Sequence, residues 1–308
     1  MPVNATDIDV SYSANATDVT EYGQNIMTAH DKTLAAEPAI TVRDERFNRD
    51  TTPSRWWAGE PFGTAWHNAL SGTFPRGEAF FIESVKAFRE GTDAKLAGEI
   101  RAFVKQEINH TREHVAFNRL AADAGYDMDM IDRRTAELLE LAKGRPAIAK
   151  LGVTMALEHY TAMMAHEFLA NPQHFAASDP EVRKMWEWHA VEEIEHKGVA
   201  YDVWNHATRE WSDFQRWLRR SIIMLEVTRR FLNNRWKDAT ELLAQDGITG
   251  WRAHWGLAKY LFGTPGVLRR CFPAWLGYFK PGFHPWDHDD RALIGKYEGD
   301  YEDALLPA

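Results

Sequence analysis

Cysteine is nearly absent from this sequence. Cys271 stands alone in 308 residues, which excludes an internal disulfide and a cysteine-based zinc site and fits a reducing compartment such as the cytoplasm. Apolar runs of membrane-spanning length are missing, so no transmembrane helix is expected. The opening stretch MPVNATDIDVSYSANATDV has neither a positive start nor an apolar segment, so no secretory leader is expected. An excess of basic residues is also lacking. The 36 Lys and Arg stand against 45 Asp and Glu, a net charge of -9, and nucleic acid is not an expected partner. No repeat of solenoid length is visible. What remains is the balance of a folded protein, 44% hydrophobic and 26% charged, in a chain long enough to bury a large core. Its 13 tryptophans thicken toward the C-terminal half.

Residues 1–50 read as a polar extension, with one short strand or helix at AITVRDERF. Residues 51–308 read as a single all-α domain, with helical patterning established after TFPRG. GEAFFIESVKAFRE forms one helix, ending near Gly91. Thr92 or Asp93 caps the next, which runs to Gly125. DMDMIDRRTAELLELAK is a separate amphipathic helix before the break at Gly144 and Pro146. PAIAKLGVTMALEHYTAMMAHEFLA follows, and Ser178-Asp179-Pro180 opens a helix carrying EVRKMWEWHAVEEIEHKGVAYDVWNHA. Another long helix is expected from Trp211 to Gln245. Two long helices, a connector and two more long helices give the order of a four-helix bundle with one long crossover. The bundle would span residues 75–208, and residues 209–308 would add C-terminal helices and an aromatic covering region.

The chemistry lies on these helices. His189, Glu193 and His196 share one stripe, and Glu193 with His196 forms E-x-x-H, a spacing that lets both side chains reach one metal. Glu107 and His110 repeat it, with His114 on the same face. Glu158 is a lone acid on a stripe of Thr154, Met155, Thr161, Ala162 and Ala165, where an unpaired carboxylate is costly unless it meets a cation. The first helix offers Glu78 or Glu83. Antiparallel register favours Glu78, which lies about as far before the Thr92-Asp93 turn as Glu107 lies after it. Four carboxylates balance two divalent cations, carboxylates can bridge metals, and imidazoles suit iron and zinc.

This pattern, E…E-x-x-H…E…E-x-x-H over four helices, resembles the ferritin-like di-iron carboxylate proteins. His189 extends the second half to H-x-x-x-E-x-x-H, which resembles the di-iron N-oxygenases that oxidise aryl amines. FPRGEAFF, QEINHTREH, WHAVEEIEHKGVAYDVW and KPGFHPW are similar to a bacterial family labelled predicted metal-dependent hydrolase. The resemblance implies two metal ions, iron first with manganese or zinc as alternatives, held by Glu78, Glu107, His110, Glu158, His189, Glu193 and His196. His114 is either a further ligand or a hydrogen-bond partner. The implied activity is an oxygenase or oxidase that uses O₂ and an electron donor on a largely apolar small molecule. A hydrolase with a metal-activated water is the alternative, and a non-enzymatic iron-binding protein the second.

Other groups read more simply. Glu192 and Glu195 are expected as surface acids, and His159 and His166 as solvent-facing groups or hydrogen-bond partners. FHPWDHDD, with His284, Asp287, His288 and Asp289, reads as a loop packed on the bundle rather than a second metal site. The segment GLAKYLFGTPGVLRRCFPAWLGYFKPGF reads as a core extension, with a lid, a homodimer surface or a peripheral membrane contact as alternatives. The apolar substrate is expected between the bundle and residues 251–308.

Overall fold

The computed structural model describes residues 37–47 and 53–305. Residues 39–308 form one compact unit, and its described residues contain helices and no strand. In chain order these are α1 (Pro61–Ser71), α2 (Phe74–Lys86), α3 (Ala94–Asp123), α4 (Asp129–Glu140), α5 (Ala147–Ala170) and α6 (Pro180–His196). They continue with α7 (Val199–Ala207), α8 (Asp213–Gln245), α9 (Gly250–Ala258), α10 (Val267–Gly277) and α11 (Arg291–Leu305).

The helix boundaries have local causes. Asp93 caps α3 by accepting from the Leu96 N–H at 2.8 Å, and Gly125 turns the chain just past its end with a φ of 97°. The Asp179 carboxylate accepts from the backbone of Glu181 and Val182 ahead of Pro180, which fixes the start of α6. Ser212 and Gln215 close a reciprocal capping box at the head of α8.

The four expected long helices form the bundle. α2 pairs with α3 and α5 with α6, while α2 also packs on α5 and α3 on α6. α8 lies against α1 and α5, α10 against α5, and α11 against α5 and α6. Most of the expected polar extension lies outside the described residues. Its AITVRDERF stretch, residues 39–47, belongs to the compact unit but forms neither strand nor helix. Its backbone bonds to side chains of the bundle instead.

Three local expectations are corrected. α1 carries no helical signal in the sequence because it is buried all round. Thr64, His67, Asn68 and Ser71 are as inaccessible as Trp66 and Leu70, which erases the polar stripe that marks a surface helix. α2 stops at Lys86, short of Gly91. The helix expected to run unbroken through HKGVAYDVW is two, parted at Lys197-Gly198. A Cβ on Gly198 would stand 3.1 Å from the Trp286 indole nitrogen, so glycine admits that ring to the break.

Close approach also governs α5. A Cβ on Gly152 would lie 2.6 Å from Ile223 Cδ1 and 3.0 Å from the Trp204 ring. Gly152→Val should therefore cost about 1–3 kcal/mol through overpacking, seen as a lower urea midpoint with an unchanged denaturant slope. An unchanged midpoint would mean that α7 and α8 do not press on α5 there.

Candidate metal centre

Glu78 on α2, Glu107 and His110 on α3, Glu158 on α5, and His189, Glu193 and His196 on α6 are all buried. Glu83, the rival on α2, is exposed. The folded chain thus brings together the seven residues singled out from spacing. Three overlapping groups have ligand atoms within 4.8 Å of one another: Glu78, His110 and His189; Glu107, His110 and Glu193; and Glu107, Glu158 and His196.

Their donor atoms are conspicuously unpaired. Glu78 Oε1, both oxygens of Glu107 and of Glu158, Glu193 Oε2, His110 Nδ1 and His196 Nε2 are buried without a hydrogen-bond partner. So many orphaned acceptors at one level would be very costly in a dry interior, and a bound cation satisfies them together. The residues present therefore fit a metal centre. Without cations the carboxylates resist ionisation. Burial and the neighbouring carboxylates push Glu78 and Glu107 well above the usual range, and burial pushes Glu158 up to about 7. Burial opposes charge on Glu193 and His196 as well. Their mutual attraction, with a further bond from His189 to Glu193 and the nearby negative charge of Glu158 beside His196, outweighs it, holding Glu193 well below and His196 well above their ordinary values.

Each histidine is anchored by one nitrogen and offers the other. Gln106 donates its amide to Thr41 O and Glu195 Oε2, so its Oε1 must accept from His196 Nδ1, at 3.0 Å. That leaves His196 Nε2 facing Glu107, Glu158 and Glu193, each at 3.4 Å. His110 Nε2 donates to Glu192 Oε2 at 3.1 Å, leaving Nδ1 toward Glu193. His189 is set by a longer chain. Asn118 donates to Ser71 O, Ser71 Oγ donates to Asn118 Oδ1, and Ser71 Oγ accepts from His114 Nδ1. His114 Nε2 then accepts from His189 Nδ1 at 2.6 Å, and His189 Nε2 points to Glu193 Oε1 at 2.7 Å. His114, left open between two roles by its position on α3, stands behind His189 as a hydrogen-bond partner. Fixing the far nitrogen in this way sets tautomer and ring orientation for ligation.

Glu192 and Glu195 correct the sequence reading, since both are buried. The Arg43 backbone N–H donates to Glu192 at 2.9 Å, and its guanidinium reaches Glu195 at 2.8 Å. Thr41 N–H also donates to Glu195. A helical wheel cannot reveal a covering strand of chain from 150 residues upstream. The nearest signal was Arg43 itself, set among the apolar and charged residues of AITVRDERF. His159 is not solvent-facing. It is buried against Tyr278 and Phe283, with its Nε2 toward Ala274 O.

Beside His189 and Glu193 lies a small cavity of about 20 Å³, also lined by Leu70, Phe74, Met164, Phe168 and Trp186, with room for about one water-sized group. Its lining comes from α1, α2, α5 and α6, and no residue of 251–308 contributes. The C-terminal segment lies behind α5 and α6, where Trp286 and Ile294 pack on Ala165, Ala190 and Ile194.

An all-α bundle enclosing clustered carboxylates and imidazoles is the construction of a metal-dependent protein. A family model described as predicted metal-dependent hydrolase matches residues 41–289, and the chain belongs to that family. No curated protein and no solved structure matches it. No described helix is long and apolar enough to cross a membrane.

Replacing Glu107 or Glu193 by alanine should remove most bound metal, whereas Glu83→Ala on the exposed side of α2 should not. Elemental analysis of the folded variants checks this, and full metal retention in both centre variants would refute the assignment.

Proposed function

We propose that the chain is a dinuclear metal enzyme. In this reading two cations would be held, with Glu107 and Glu193, each near both His110 and His196, shared between them. Glu78, His110 and His189 would complete one side, and Glu158 and His196 the other. One cation would have two histidines and its neighbour one. Iron is the first choice, with manganese and zinc as alternatives.

Two reactions suit this donor set. Bound iron would supply electrons for O₂ chemistry, while bound zinc would supply an activated water and a Lewis acid. The family's description favours hydrolysis and says nothing for oxygen. The observation that carries the oxygen reading is the lining of the cavity at His189 and Glu193. Its other side chains are apolar except Thr161, whose hydroxyl already donates to Glu158 O at 2.9 Å, and Trp186, whose indole N–H has no hydrogen-bond partner. A site that stabilises a hydrolytic oxyanion usually adds several donors of its own, and among the lining side chains the Trp186 indole N–H is the one donor without a partner. The cavity's size suits a diatomic gas or one water, and its walls exclude bulk solvent from the ligands. We therefore put an oxygenase or oxidase acting on a largely apolar small molecule first, with an external electron donor, and the hydrolase second. The substrate itself would need the walls at Phe74, Met164 and Phe168 to part.

Metal analysis of anaerobically purified protein, followed by an optical spectrum on admitting air, separates the two. Iron at about two per chain, by the two-cation arithmetic above, with an absorption change on O₂ is expected. Zinc with indifference to O₂ would overturn the oxygen reading and leave hydrolysis. His189→Ala should abolish the absorption change while leaving most of the iron, because the shared carboxylates remain.

A further inference from the structure

The C-terminal loop meets the bundle at a second convergence of ligand-type atoms. His166 projects from α5, and His288 and Asp290 follow the turn at Pro285–Asp287. His166 Nδ1 lies 2.7 Å from Asp290 Oδ1. His288 Nε2 lies 3.2 Å from His166 Nδ1 and 3.3 Å from Asp290 Oδ1. All three atoms thus face one point.

Without a cation, His166 Nδ1–H donates to Asp290 Oδ1, and the His288 Nε2 lone pair is left to share that same proton at 3.2 Å. A cation at the centre is instead met by a lone pair from each of the three atoms. Zn–N bonds near 2.0–2.1 Å and Zn–O bonds near 2.0–2.2 Å place tetrahedral neighbours roughly 3.3–3.5 Å apart. Two of the three edges are already within about 0.1–0.2 Å of that range, and the third must open by about 0.6 Å.

The surroundings orient the triangle. Lys197 Nζ donates to Asp290 Oδ2 at 2.6 Å and to His288 O at 2.7 Å, so Oδ1 alone is offered inward and the loop backbone is fixed. Trp286 is buried beneath the loop in a small apolar cluster with Ala165, Val191 and Ile294, apart from the main core. The His288 side chain is 54% exposed, which leaves a fourth position open to solvent.

We propose that His166, His288 and Asp290 form a second metal site, distinct from the carboxylate centre, that takes one zinc-like divalent cation and staples the C-terminal loop to α5. Two histidines and a carboxylate with an open position suit zinc, with water as the fourth ligand. Lys197 acts as a positioning residue, holding the carboxylate while its charge tempers the affinity. The staple would add to the anchorage that Trp286 and Phe283 already give the loop.

The test uses the full-length chain and two families of variants. His288→Ala, at an exposed position that should fold normally, is expected to bind one metal fewer per chain than the unsubstituted protein, with the iron or zinc of the carboxylate centre intact. In the reciprocal Glu107→Ala/His196→Ala background, titration with Co²⁺ alone should give the visible band of a four-coordinate ion. Adding His166→Ala should weaken that binding by about tenfold or more. Zn²⁺ should slow proteolytic cleavage near residues 284–290 in that background, and not after His288→Ala. If His288→Ala leaves the metal count unchanged, or Co²⁺ binding survives loss of both histidines, the site is refuted even if the carboxylate centre stands. Should the double variant fail to fold, the metal count of His288→Ala alone decides.

Discussion

Burying carboxylate is the constraint on which the rest of this structure depends. Glu78, Glu107, Glu158 and Glu193 meet inside the bundle with most of their oxygens unpaired. A lone ionised carboxyl in such a setting shifts its pKa or finds a cation. Both responses are visible. Glu78, Glu107 and Glu158 hold their protons more tightly, while Glu193 and His196 keep opposite charges against the cost of burial. A metal bound there would replace those protons, so the occupancy of the centre and its acid–base state would form one equilibrium.

The same constraint explains the sheath around the imidazoles. Phe74 packs edge-on against His114 and tilted against His189, and Trp188 and Phe103 meet His110 and His196 edge-on. These rings exclude water without competing for lone pairs. The polar contacts come from Gln106, Glu192 and His114, each of which holds the far nitrogen of one histidine. Glu192 and Glu195 would add two further buried charges. Arg43 offsets them by pairing with Glu195 and presenting its backbone N–H to Glu192. The extended segment around Thr41 and Arg43 is therefore part of the centre's support, which accounts for its position in the compact unit despite having no regular structure.

Much of this is legible in the sequence alone. The two E-x-x-H pairs are periodic signals, and helical geometry turns spacing into a shared face without further information. The choice of Glu78 over Glu83 followed from the lengths of α2 and α3 about one turn, and the exposure of Glu83 agrees. The caps at Asp93 and Asp179 are local chemistry and were read as such. α1 escaped because it is surrounded. The α6–α7 break escaped because a single glycine in a helical pattern marks a break only if something must fit against it, and Trp286 comes from far along the chain.

By itself, then, the sequence determined the four helices of the bundle, their order and the face on which the metal-type residues stand, since these depend on residues a few positions apart. The tertiary structure alone decided what lies against those faces. It buried Glu192 and Glu195 under residues 41–43, set His114 behind His189, and carried His288 and Asp290 to His166 across more than a hundred residues. It also placed the cavity among α1, α2, α5 and α6 and not under the aromatic C-terminal segment. The reason is physical. Helical periodicity is an intrinsic property of the local chain, whereas burial, tautomer and charge depend on whatever distant segment packs there, and no local pattern encodes that partner.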